Sequence, residues 1–138
     1  MSRRTEKAAE LRKQFRENGM PLYNCAQTCA MAFAEDLGMD ERQLEALTVH
    51  FGGGMKMGSV CGAYTSGLMV MGLLGLDDNA SRNAFVSGMK AKHENLTDCR
   101  DLLKRNMEKG GDKMTHCNRM IMDAIELIEQ IREEKAGK

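Results

Sequence analysis

Apolar positions at Ala8, Leu11 and Phe15 recur at helical spacing, and Gly19 and Pro21 stop the run. The pattern predicts a helix over 4–18. A second stripe carries Ala26, Cys29, Ala30, Phe33 and Leu37. Asn24 and Gln27 form a capping-box pair at its start and Gly38 closes it, which predicts a helix over 25–37. Asp40 with Gln43 opens a third helix, bearing Leu44, Leu47 and Phe51. Residues 51–59 hold Gly52, Gly53, Gly54 and Gly58 and predict a loop, because no regular element tolerates that many glycines easily. Residues 60–75 are apolar nearly all round, the mark of a buried central helix, with Ser59 as the expected cap. Its Ala63 and Gly67, four apart, leave room for a close neighbour. Three further helices are expected. One covers 80–93, interrupted by Gly88. Another covers 98–107, capped by Thr97 and stopped by Gly110-Gly111. The last covers 116–134, capped by Thr115, with Ile121, Ala124, Ile125, Ile128 and Ile131 facing inward. No alternating strand pattern, internal repeat or long linker interrupts the series. The expectation is one all-α domain over 1–138, of six to seven helices around a buried central one.

Composition changes this picture in a few places. With 42% hydrophobic residues the chain can bury a core without staples. Lys and Arg number 20, as do Asp and Glu, a balance that argues against a nucleic-acid or anionic-membrane surface. The basic stretch from Arg3 to Lys13 is broken by Glu6 and Glu10 and reads as a solvated helix face. The apolar run 68–76 is shorter than the roughly 20 residues that span a bilayer, and the first residues carry no signal-like apolar segment. A cytoplasmic protein that does not span the membrane is therefore expected, in a compartment where thiols stay reduced.

That expectation gives weight to Cys25, Cys29, Cys61, Cys99 and Cys117. There is no C-x-x-C, so local zinc-ribbon, thioredoxin-type and iron–sulfur patterns are not indicated. Cys25, Cys61, Cys99 and Cys117 each fall within the first turn of an expected helix. Free N–H groups and the positive dipole end there favour a thiolate, the form that attacks, oxidises or binds metal. The competing reading is that buried cysteine merely fills space. It is the better one for Cys29, on the inner stripe of its helix.

The segments Asn24-Cys25-Ala26-Gln27, Phe51-Gly52-Gly53-Gly54-Met55, Val60-Cys61-Gly62-Ala63, Leu68-Met69-Val70-Met71-Gly72-Leu73, Cys99-Arg100-Asp101-Leu102-Leu103 and Cys117 resemble the C-GCAxxG-C-C family of putative redox-active proteins. The match is best from about 20 to 131. Ser66 stands where the family pattern Cys-Gly-Ala-x-x-Gly ends in Gly, and Cys29 lies outside the four-cysteine pattern. The resemblance implies a redox role, with an association with transporters suggested for the family.

On these grounds the expected site is a cluster of Cys25, Cys61, Cys99 and Cys117, acting on an unidentified redox partner by thiol–disulfide exchange. Cys61 is the expected nucleophile because a helix start and an open glycine loop meet there. Asp98 and Asp101 flank Cys99 and make it the less reactive partner. The alternatives are a four-thiolate zinc or iron–sulfur site on the same cysteines and a non-catalytic helical interaction module attached to a transporter. Gly53, Gly54, Gly58 and Ser59 form a candidate binding loop for a small anion or cofactor. Most of the 13 Met sit at core spacings, leaving Met55 and Met57 as a pair near Cys61. His50 and His116 could pair with a thiolate, whereas His93 reads as surface. An apolar helical domain of this size allows a homodimer, although no heptad run marks one.

Overall fold

The computed structural model describes residues 1–137. Among these the chain forms eight α-helices and no named strand: α1 (Arg3–Leu11), α2 (Cys25–Met31), α3 (Ala34–Leu37), α4 (Glu41–Thr48), α5 (Gly62–Leu73), α6 (Asn79–Lys92), α7 (Cys99–Glu108) and α8 (Lys113–Ala136). The all-α expectation holds. Both capping boxes form: Asn24 and Gln27 open α2, and Asp40 and Gln43 open α4. None of these helices is long and apolar enough to cross a membrane.

The apolar helix α5 is central, with α2, α6 and α8 packed against it. Tyr64, Val70 and Met71 of α5 are buried with Phe33, Leu44, Phe85, Met89, Met120, Ile121, Ile125 and Ile128. Gly67 lets the Phe85 ring approach so closely that a Cβ there would stand 2.5 Å from Phe85 Cζ. Phe85 meets Tyr64 edge-on at 6.4 Å between ring centroids. Ser66, the departure from the family pattern, is buried and donates from its hydroxyl to the Ala26 carbonyl at 2.7 Å. It ties α5 to α2 at a point where glycine would make no such bond.

Several expected boundaries move. The first helix ends at Leu11 rather than near 18, because Arg12 turns inward and the chain then reverses. Gly19 takes φ 84, Arg16 N–H donates to the Met20 carbonyl at 2.7 Å, and Phe15 bridges Pro21. Phe15, expected on the inner stripe, is exposed, as is Leu47. The expected helix over 25–37 breaks at Phe33 (φ −102, ψ 9), so its end becomes the separate α3, closed by left-handed Gly38. This break is why eight helices appear instead of six or seven.

The caps also shift. Ser59, Thr97 and Thr115 are not the capping residues; Cys61, Asp98 and Asp112 occupy those positions. For Ser59 and Thr97 the reason is a long-range backbone pairing between the two segments leading into α5 and α7. Cys61 N–H donates to the Thr97 carbonyl at 2.9 Å and Cys99 N–H to the Ser59 carbonyl at 2.7 Å. Ser59 and Thr97 are thereby held in a short bridge ahead of the capping residues Cys61 and Asp98. Asp112 accepts from Thr115 N–H and starts α8 a turn earlier than expected. His93 is not a surface residue: its side chain is 10% exposed and its Nε2 lies 2.9 Å from Asp123 Oδ2.

An ion cluster joins α1, α3 and α8. Arg4 grips both carboxylate oxygens of Asp36, at 2.6 and 2.9 Å, and reaches Glu129 at 2.8 Å, while Arg132 approaches Asp36 at 3.2 Å. The Arg4 hydrogen bond holds the Asp36 carboxyl below its ordinary pKa, with Arg132 adding to the effect against the opposing influence of burial. A lowered native pKa contributes stability in full above the unfolded value, about pH 4, and loses it as pH falls through the native one. Urea unfolding between pH 3 and 7 should therefore show an acid-side loss of stability that Asp36→Asn flattens. An unchanged acid limb in that variant would remove Asp36 from the account.

Candidate functional site

The four expected cysteines line one cavity of about 390 Å³. Cys25 is the first residue of α2, Cys61 caps α5, and Cys99 is the first residue of α7. Cys117 lies one turn inside α8, because that helix starts at Lys113. The helix-start expectation thus holds for three cysteines and is corrected for the fourth. All five thiols are free. Cys29 does not line the cavity; it is fully buried deeper in α2, where burial pushes its thiol up to about 12.

The sulfurs are not equivalent. Cys25 is lowered to about 6. The Cys61 thiol, donating to it, is the largest cause. Backbone N–H groups of Gly53 and Gly62 and the Arg12 guanidinium add to the effect, and together they overcome burial, which acts the other way. Cys61 moves well upward, first because its proton is shared with Cys25 and then through burial. Burial raises Cys99 as well, and pushes Cys117 up to about 11, with the Cys25 charge reinforcing both shifts. Arg12 and Lys113 pull Cys117 back in part. Of the pair, the expected nucleophile is Cys61, whereas the lowered pKa falls on Cys25.

Glycines make this geometry. A Cβ at residue 62 would stand 2.7 Å from Cys25 Sγ and 2.8 Å from the Phe51 carbonyl oxygen, so only glycine lets the sulfur rest against the start of α5. The preceding loop makes a wide turn in which Gly53, Gly54, Met55 and Lys56 all take left-handed backbone, with φ 64, 64, 58 and 57. Ser59 N–H closes it onto the Gly54 carbonyl at 2.9 Å. Left-handed geometry costs a non-glycine residue about 1–2 kcal/mol, so Met55 and Lys56 hold strain beside the site. This turn carries Gly53 to the cavity wall.

Of the expected binding loop, only Gly53 lines the cavity. Gly54 packs against the backbone of Ser59, Gly58 packs against Arg100, and Ser59 pairs with Cys99. Met55 and Met57 are exposed and outside the lining, and His50 faces Lys56 with 3.4 Å between Nδ1 and Nζ. His116 does line the cavity, and burial lowers its pKa. Among the described residues no three His, Cys, Asp or Glu side chains are arranged to hold a metal ion.

Sequence reasoning missed Arg12. It was placed on a solvated basic face, yet it is buried and reaches the cavity. The available signal was its position one turn after Ala8, on the same inner face of the helix. The reversal after α1 also brings Phe15, Met20 and Pro21 to the cavity mouth, a contribution that a helix running to 18 could not make.

A family model described as "Putative redox-active protein (C_GCAxxG_C_C)" matches residues 23–131. No curated protein and no solved structure matches the chain.

Alkylation by iodoacetamide followed against pH should show a fast component with a midpoint near 6. Cys25→Ser should abolish it, and Cys61→Ala should move it upward by about one unit or more, since a lost thiol donor is worth on the order of 1–2 kcal/mol. A single component with the ordinary midpoint near 8.5 would contradict the assignment.

Proposed function

Because the chain belongs to the C_GCAxxG_C_C family of putative redox-active proteins, we propose that its four-cysteine cavity is a thiol–disulfide exchange centre in which Cys25 attacks and Cys61 resolves. The observation that carries this reading is the placement of Cys25: its sulfur rests against the start of α5, where only glycine fits at residue 62, on the wall of the cavity that Cys61 and Arg12 also line, and Cys61 first of all lowers its pKa to about 6. Such a sulfur is ionised near neutral pH and still close enough to ambient pH to remain a good nucleophile.

The Cys25 thiolate attacks one sulfur of a disulfide R–S–S–R′. The S–S bond breaks, R′–S⁻ leaves, and Cys25 is joined to R in a mixed disulfide. Cys61 gives its proton to the departing thiolate and its sulfur then attacks Cys25 Sγ. R–S⁻ leaves, takes a proton from water in place of the one Cys25 had released, and a Cys25–Cys61 disulfide remains. Two electrons pass from the two protein sulfurs to the two substrate sulfurs. An external dithiol reverses the sequence and restores the reduced protein.

The local environment supports a division of labour. Once Cys25 is bonded to substrate its negative charge is gone, and the main influence that holds the Cys61 proton in place goes with it. The resolving thiol is thus released for ionisation when it is needed. Cys99 and Cys117, raised by burial, stay protonated and do not compete for the first attack.

Treatment of the reduced protein with a small oxidising disulfide should produce one intramolecular bond, mapped by peptide mass to Cys25 and Cys61 and reversed by dithiothreitol. Cys61→Ser should trap the mixed disulfide on Cys25, whereas Cys25→Ser should slow the reaction by about tenfold or more. A bond between other cysteines, or trapping on Cys61, would overturn the assignment. Stoichiometric zinc or iron in anaerobically purified protein would point instead to a thiolate metal site.

A further inference from the structure

The cavity beside Cys25 is larger than two sulfurs require, and its walls are uneven in character. Phe15, Met20, Leu102, Leu103, Met114 and Met120 supply an apolar lining. Against this stand two cations, Arg12 and Lys113, and no Asp or Glu among the lining residues.

Arg12 is the informative one. It is buried, and its three observed bonds all go to uncharged acceptors: Asn118 Oδ1 at 2.7 Å, the Tyr23 carbonyl at 2.8 Å and Met114 Sδ at 3.1 Å. Among the described residues no carboxylate pairs with it, and none pairs with Lys113. A guanidinium offers five N–H donors, so donors remain after these three bonds. The half-buried Arg4 is placed differently, matched by Asp36 and Glu129. A buried cation without a counter-charge is costly and marks a place where an anion is expected. A Cys25 thiolate on the same cavity wall offsets that charge only in part, because the Arg12 bonds go to Asn118, Tyr23 and Met114 and none to Cys25.

We propose that this cavity binds a small organic carboxylate with an apolar body, the carboxylate meeting Arg12 with help from Lys113 and the body lying against the Phe15, Met20, Leu102 and Met120 walls. A volume of about 390 Å³ lies within the usual range for small-molecule sites. A carboxylate of this kind on the disulfide substrate would give Arg12 a counter-charge in the step where the thiolate is consumed. That last point rests on the thiol-exchange reading; the binding site itself does not.

The test uses octanoate, which has no sulfur, and its neutral counterpart octanamide, each as a protectant of Cys25 against iodoacetamide in the full-length reduced protein. Octanoate should protect at concentrations about tenfold lower than octanamide, one charge-assisted contact being worth roughly that factor. Added salt should weaken octanoate and leave octanamide unchanged. Arg12→Gln should abolish the preference, read as the ratio of protected to unprotected rates so that any change in thiol reactivity cancels. If Arg12→Gln fails to fold, Lys113→Gln at an exposed position still reports, with a twofold to threefold loss for octanoate only. Equal protection by the two compounds, insensitive to salt and to Lys113→Gln, would overturn the proposal even if disulfide exchange at Cys25 were established. Selective octanoate protection in a protein that forms no disulfide would sustain the binding site and sink the redox reading.

Discussion

The Cys25 sulfur at the start of α2, resting against the start of α5, is the constraint to which the rest of the molecule answers. Cys25 is mostly out of water, and burial by itself opposes its ionisation. Its pKa is lowered all the same, by groups from three separate stretches of chain: Cys61 and Gly62 from the start of α5, Gly53 from the glycine loop, and the Arg12 charge from the end of α1. None of these groups is local to Cys25 in sequence. The site therefore exists only when the fold is complete, and the fold places unusual demands on backbone to complete it.

Those demands explain where the glycines fall. Residue 62 has no room for a side chain between Cys25 Sγ and the Phe51 carbonyl, and residue 67 has none beneath Phe85. Between them Ser66 bonds back to Ala26. Helix α5 is thus held close to α2 at Gly62 and Ser66, and close to α6 at Gly67. The left-handed run from Gly53 to Lys56 belongs to the same arrangement. It uses two residues in a costly conformation to fold the loop back beside the cysteine. Local strain next to reactive groups is what a functional constraint leaves behind.

The sequence reveals elements well and their junctions less well. Apolar residues nearly all round identified the central helix at 60–75, and helical apolar spacing the inner face of α8 through Ile121, Ile125 and Ile128, because those patterns report burial directly. Paired caps at Asn24 and Asp40 were legible for the same reason: both partners lie within one turn. Ser59 and Thr97 misled because a long-range backbone pairing holds them ahead of the capping residues, and no local rule contains that pairing. Phe15 misled because Arg12 and the turn at Gly19 end α1 early. For the site, the four cysteines were legible from their number and placement, and the structure gathers them round one cavity. Their surroundings were not: Cys25 draws its lowered pKa from Cys61, from Gly53 and from an arginine whose sequence neighbours made it look solvated.

The central claim is that Cys25, and not Cys61, is the ionised sulfur of the pair. The most direct measurement is a pH titration of the cysteine 13Cβ chemical shifts by NMR in the reduced protein, with each resonance assigned by single Cys→Ser replacement. The account predicts that the Cys25 resonance moves with a midpoint near 6 while those of Cys61, Cys99 and Cys117 stay at thiol values through pH 8. A Cys25 resonance that remains at the thiol position through that range, or a Cys61 resonance that titrates first, would contradict it.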